Sequence, residues 1–252
     1  MHQTCKYSLR LAETEYDLRR AQAMRAGQFG AKVVRRILDA DAFDANYQHV
    51  LITERETDEI YACFRFMHFK DGSDVDQSYS SQFYDLQRLI TYRKPMLEVG
   101  RFCLKGGIQD QDLLRIAWAY LTSYVDSHGI AFLFGCSSFD GVDNTKYIDA
   151  FALLKEHYLA PERWKPQVKA GEVFEFAKQL KSYKPALRTA NQNIPPLLRT
   201  YLGMGGWVSD HAVVDRALGT LHVFTGLEVD AIPASRARLF RASAQAITLK
   251  SA

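Results

Sequence analysis

Cysteine is scarce in this chain of 252 residues: Cys5, Cys63, Cys103 and Cys136 are the four, and none forms a CxxC pair. That spacing offers neither a zinc knuckle nor a disulfide framework, so reduced thiols in a cytoplasmic protein are expected. Long apolar runs are missing too. No stretch approaches the ~20 residues of a membrane helix, and MHQTCKYSLRLAETEYD has no signal-peptide core. Any membrane contact is therefore expected to be peripheral. Excess charge is slight, at +3, so no bulk polycation is offered to nucleic acid, while an acidic partner protein would need only a local patch. His49, His128, His157, His211 and His222 show no HxxxH or HExxH spacing, and no metal site is expected. Tandem repeats, low-complexity stretches and obvious linkers are likewise lacking.

What is present is a mixed order of elements. Tyr7–Ala12 alternates as a strand, and Thr14 is placed to cap a helix from Glu15 to about Arg25. Val50–Thr53 and Ile60–Phe69 read as a hairpin around a charged turn, and Phe83–Tyr92 as a short helix. Met96–Leu104 is a strand. Asp112–Ser127 is an amphipathic helix ended by Gly129, and Ile130–Cys136 is a buried strand. Thr145–His157 and Val173–Leu180 read as helical, and Pro195-Pro196 opens another helix. Trp207–Val214 and Leu221–Glu228 are strand-like, and a basic helix, Ser235–Ala246, finishes the chain. The expected class is α/β, a mixed sheet with helices on both faces. Residues 1–252 are expected to form one domain, with a C-terminal extension from about 160.

The most unusual feature is a charged pair, Glu98 and Arg101, inside a strand. Side chains on a strand alternate faces, so positions 98 and 101 oppose each other unless the backbone bulges, and Gly100 is the residue placed to allow it. Glu98 is the candidate general base. The alternative is an internal ion pair that only orders the sheet. Other charges also interrupt apolar runs. Arg65 lies within YACFRFMHF, Arg25 precedes Phe29 by one helical repeat, and Asp41 and Asp44 bracket Phe43. Taken singly each reads as a solvated charge; taken together they read as an arginine–carboxylate network, because buried charge is tolerated only when paired.

The loop after that strand begins Lys105, Gly106, Gly107 but continues to Asp110 and Asp112. Two carboxylates at a helix N-terminus disfavour a pyrophosphate there. Cys136 beside Ser137 and Ser138 reads as packing before it reads as a nucleophile.

LEVGRF (97–102), LFGCSSF (133–139), PPLLRTYLGMGGWVSDHAVVD (195–215) and TLHVF (220–224) together resemble the ornithine-acyl-ACP N-acyltransferase family of bacterial aminolipid synthesis. The likeness runs from RLAETE to the final strand. It implies a GNAT-like fold and a 3-hydroxyacyl donor on acyl carrier protein. It further implies an amino-acid acceptor acylated on its α-amine, a lyso-aminolipid product and no cofactor beyond the carrier's acyl-phosphopantetheine. Through a similarity to acyl-homoserine lactone synthases it marks Arg25, Phe29, Asp41, Asp44, Arg65 and Arg101 as an acceptor-side cluster, with Glu98 as base. Lys105, Gly106 and Gly107 fall where the carrier's arm would lie. Two departures stand out: AMRAGQFGAK lacks an aromatic and a second basic residue usual in that segment, and KGGIQDQD lacks a histidine–proline and an arginine. The acceptor stays open between ornithine and glutamine. Two other functions stay in view, a non-catalytic carrier-binding protein and a lactone synthase. The terminal helix, with Arg236, Arg238 and Arg241 near Leu239 and Phe240, reads either as a solvated closing helix or as a surface for anionic lipid or carrier.

Overall fold

The computed structural model describes residues 6–28, 37–106 and 110–251. In chain order its elements begin β1 (Tyr7–Leu11), α1 (Glu15–Gln28), β2 (Gln48–Glu54), β3 (Ile60–Phe69), β4 (Tyr84–Asp85) and β5 (Met96–Leu104). Then come α2 (Gln111–His128), β6 (Phe132–Asp140), α3 (Ile148–His157), β7 (Gln167–Val168), β8 (Val173–Phe174) and α4 (Phe176–Gln179). The chain closes with α5 (Leu187–Asn193), α6 (Pro196–Gly203), β9 (Trp207–Val208), β10 (Ala212–Asp215), β11 (Thr220–Glu228) and α7 (Ala234–Ser251). Short 3-10 turns fill several of the connections. The chain is thus the mixed α/β structure expected, with parallel and antiparallel strand pairs.

Two compact units divide it: Met1–Met67, Val99–Ile130 and Pro233–Ala252 in one, His68–Glu98 and Ala131–Ile232 in the other. Strand β5 gives Met96–Glu98 to the second unit and the rest of its length to the first.

In the first unit, β1, β2 and β3 pair antiparallel, from Tyr7↔Glu54 to Leu11↔Val50 and from Gln48↔Phe66 to Thr53↔Ile60. Thr14 caps α1 as expected: its hydroxyl accepts from the Asp17 amide at 3.1 Å. The Asp17 carboxylate turns instead to Arg10, at 2.6 and 2.7 Å. Helix α2 starts on a side-chain cap from Asp110 and stops at Gly129, whose φ of +61° is cheap for a residue without Cβ. Its face of Leu113, Ile116, Ala117, Leu121 and Val125 is buried, and Tyr124 meets Phe66 edge-on at 4.7 Å.

In the second unit, β5 pairs parallel with β6 over Met96↔Phe132 to Glu98↔Phe134. Strand β11 lies antiparallel to β6 over its full length, from Thr220↔Asp140 to Glu228↔Phe132, and β10, then β8, follow it. Gly226 is required there: a Cβ would stand 2.5 Å from the Trp207 ring. The core gathers α3, α5 and α6 around Phe151, Leu154, Ala190 and Leu198. The extension expected from about residue 160 falls in this unit as far as Ile232.

Two predicted helices form differently. Val173–Phe174 is strand β8 because Val173 pairs with Val213 and Phe174 with Ala212, leaving only Phe176–Gln179 helical. Tyr84–Asp85 pairs with Gln167–Val168, and only a 3-10 turn, Gln87–Thr91, follows. In both cases a partner strand from elsewhere in the chain overrides a local preference.

Candidate active site

The structure brings five of the predicted residues together in the first unit. Arg25 on α1 and Arg65 on β3 are each about 1% exposed, and both converge on Asp44. Arg25 Nη2 donates to Asp44 at 2.7 and 2.9 Å. Arg65 grips Asp41 with both terminal nitrogens, at 2.6 and 2.8 Å, and also donates to Asp44. Arg101 Nε donates to Asp39 at 2.9 Å and its Nη2 to Asp41 at 3.1 Å. Asp39 Oδ2 also lies 3.2 Å from Arg25 Nε, so it bridges two guanidiniums. Two neutral groups complete the cluster. Gln22 donates to Asp44 at 2.9 Å, and His49 Nε2 lies 3.0 Å from the Asp44 carbonyl.

Three arginines face three aspartates, so the buried charge sums to zero, the condition under which such burial is tolerated. Burial alone would raise the Asp44 carboxyl, but Arg25, Gln22 and Arg65 outweigh it and hold it far below the usual range. Asp41 is lowered in the same way, with burial outweighed by Arg65 and Arg101. Burial pushes the His49 imidazole down, keeping it neutral, and Arg25 and Arg65 add to the effect. Asp41 is the member nearest solvent, at 23% side-chain exposure.

Arg101 adopts a φ of +52°, a left-handed conformation that costs a non-glycine residue roughly 1–2 kcal/mol. The backbone irregularity expected around Gly100 therefore falls on Arg101 itself. Its two ion pairs, to Asp39 and Asp41, offset that cost.

Glu98 goes to a different set of partners, within the second unit. Its side chain is buried and holds the turn that precedes β4. Oε1 accepts from the Ser80 amide at 2.8 Å and from the Ser80 hydroxyl, and Oε2 accepts from the Tyr79 amide at 2.9 Å. The Ser80 oxygen also lies 3.5 Å from Cys136 Sγ on β6. The Ser80 hydroxyl thus contacts both the carboxylate and the thiol, and Cys136 is half-buried.

Lys105 Nζ pairs with Glu59 at 2.7 Å and sits 4.6 Å above the Tyr61 ring. A Cβ at Gly106 would lie 3.5 Å from the Gln28 side chain. Phe29 and Gly107 lie outside the described residues. Asp110 accepts from the Asp112 amide at 2.9 Å and from the Tyr7 hydroxyl at 2.8 Å, so a protein carboxylate occupies the N-terminus of α2. On α7, Arg241 pairs with Asp126 at 2.9 Å and Phe240 packs on Trp118 at 5.8 Å.

Asp39, Gln22, His49 and Ser80 escaped the sequence reading. Asp39 had a signal: it opens DADAFD (39–44), and an alternating acidic run beside buried arginines asks for a partner at every carboxylate. Ser80 had none, because a serine in SYSSQF carries no trace of a carboxylate that lies eighteen positions on. Among the described residues no cluster of three His, Cys, Asp or Glu could hold a metal, and no helix is long and apolar enough to cross a membrane.

An acetyltransferase (GNAT) domain matches residues 18–119. The L-ornithine N(alpha)-acyltransferase of Rhodobacter capsulatus is 30% identical, over 90% of this chain and 91% of that one. The enzyme of the same name from Brucella abortus is 30% identical over 77% of this chain and 71% of its own length. Among solved structures, FeeM, an N-acyl amino acid synthase from uncultured soil microbes, matches 89% of this chain and 92% of its own with a TM-score of 0.50 at 10% identity. That last likeness is one of fold.

Proposed function

We infer the activity from one premise: this chain belongs to the L-ornithine N(alpha)-acyltransferase family, on a GNAT scaffold, and is an N-acyltransferase. The observation that carries the finer reading is that relatives of that name match it over most of its length, including the strand of Glu98 and Arg101. The reaction we propose moves a 3-hydroxyacyl group from acyl carrier protein to the α-amine of ornithine or glutamine, making a lyso-aminolipid. A base takes one proton from the ammonium, the freed amine attacks the thioester carbonyl, the C–S bond breaks, and the second nitrogen proton leaves with the carrier's thiol. Glu98 is the proposed base, directly or through a water, with the Ser80 hydroxyl orienting it. Arg101 and Asp41, at the outer side of the charged cluster, are the proposed acceptor contacts. Arg25, Arg65 and Asp44 hold them from beneath.

The donor reading is supported at the start of α2. Nucleotide pyrophosphate binds helix N-termini through free amides and a positive dipole end. Here Asp110 already takes the Asp112 amide and brings its own negative charge. A thioester arm without a nucleotide avoids that repulsion. Lys105, Gly106 and Gly107 are the proposed carrier-side contacts. The enzyme is read as cytoplasmic, meeting the membrane peripherally.

Expression with a matching acyl carrier protein in a host that lacks aminolipids, followed by lipid mass spectrometry, tests the reading. A lyso-lipid with an ornithine or glutamine head group is expected and names the acceptor. No new lipid, or a released lactone, would overturn it.

A further inference from the structure

From Phe176 to Ser209 the chain contains no aspartate or glutamate, although 29 acidic residues are spread over 252. The same stretch carries Lys178, Lys181, Lys184, Arg188 and Arg199. Its middle is displayed outward: residues 181–184 and 186–189 are all exposed. Two apolar side chains stand among the cations, Tyr183 at 42% exposure and Leu187 at 59%.

This segment is a built loop. Lys155 on α3 donates to the carbonyls of Leu180 at 2.8 Å and Tyr183 at 3.0 Å. Asp149, also on α3, accepts from the Tyr183 hydroxyl at 3.1 Å and the Ala186 amide at 2.8 Å. Ala190 and Ile194 then anchor α5 in the core. The neighbouring carboxylates are already engaged, Glu156 by Lys184 at 3.1 Å and Glu175 by Lys178 at 3.6 Å. Among the described residues Lys181 and Arg188 make no ion pair.

We propose that this face, Lys178 to Arg188, seats the protein on an anionic lipid bilayer. It deepens the peripheral contact given above and places it on this loop, while its own basis is charge and exposure. Cations flanking an exposed tyrosine and leucine match the headgroup region, where basic side chains meet lipid phosphate and apolar ones enter the acyl boundary. An acidic protein would match the charge but would leave Leu187 without a role. The fixed backbone presents these side chains without an ordering cost at the surface.

The test is sedimentation of the full chain with vesicles rich in phosphatidylglycerol, against pure phosphatidylcholine. Binding to the anionic vesicles that falls with salt is expected. Lys181→Ala and Arg188→Ala should each weaken it about five-fold, the effect of one cation near a charged leaflet. Leu187→Ser should weaken it at every salt concentration. Thermal melts identify any variant that fails to fold, and Lys181 and Arg188 are exposed enough to change harmlessly. The proposal is overturned if these variants bind as wild type, if Arg236→Glu with Arg238→Glu on α7 abolishes binding instead, or if polyglutamate binds while vesicles do not. Acyl transfer by Lys181→Ala from a soluble carrier should equal wild type. Vesicle binding by a chain with no transferase activity would sink the enzymatic reading and leave this one standing.

Discussion

Glu98→Gln separates the two things this carboxylate does. The glutamine oxygen can take the place of Oε1 and accept from the Ser80 amide and hydroxyl. Its NH2 then faces the Tyr79 amide, which Oε2 accepted at 2.9 Å. One hydrogen bond to a charged group disappears, about 1.5–3 kcal/mol, and a buried donor is left unmet, about 1–3 kcal/mol more. A loss of about 2.5–6 kcal/mol is substantial against a typical stability of about 5–15 kcal/mol, so the variant melts earlier, by roughly 5–24 °C. Turnover should then be measured well below the new midpoint and divided by the folded fraction from circular dichroism. If Glu98 is the base, the rate per folded molecule falls about 10²–10⁴-fold. Ser80→Ala removes the hydroxyl's contacts with Glu98 and Cys136 and should lower turnover less. Unchanged turnover per folded molecule in Glu98→Gln would refute the base role. An unchanged melting point would refute the account of the turn.

Other outcomes follow from the charged cluster. Arg65→Met strips Asp41 and Asp44 of a shared cation in a buried site, and breaking such a pair costs about 3–5 kcal/mol. Arg65→Lys keeps the charge but loses the two-pronged grip on Asp41 and should fall between wild type and Arg65→Met. A melting point for Arg65→Met within about 2 °C of wild type, under 1 kcal/mol for a chain of this size, would contradict the network's structural role. On pH, Asp41 and Asp44 are held below their ordinary values. Their contribution is complete above about 4, where the unfolded carboxylates have ionised, and is lost as pH falls from there. His49 is also lowered and folds neutral, so stability begins to decline below about 6.5, and His49→Gln should flatten that upper part of the curve. A melting point that rises between about pH 7 and 5 would exclude this assignment.

Several features were legible because their causes are local. Helix α2 declares itself through an aspartate cap, a regular apolar stripe and a terminal glycine, all within its own length. The charged residues inside apolar runs had to be paired, so Arg25, Asp41, Asp44 and Arg65 read as a network on that ground, and the family resemblance added Arg101 to them. Which carboxylate meets which guanidinium was not legible. Asp39 became the bridge between Arg25 and Arg101 only because α1, the segment before β2 and the end of β5 converge in one unit. The same limit explains Val173–Phe174, whose strand state depends on residues forty positions later, and the left-handed backbone of Arg101, which two distant aspartates sustain. It explains Glu98 most clearly. Composition and period established that a carboxylate sits inside a strand, and family resemblance proposed its role. Only the tertiary structure gave it the Tyr79–Ser80 turn, because a hydrogen bond between distant segments depends on which surfaces fold against each other, and a single sequence does not record that choice.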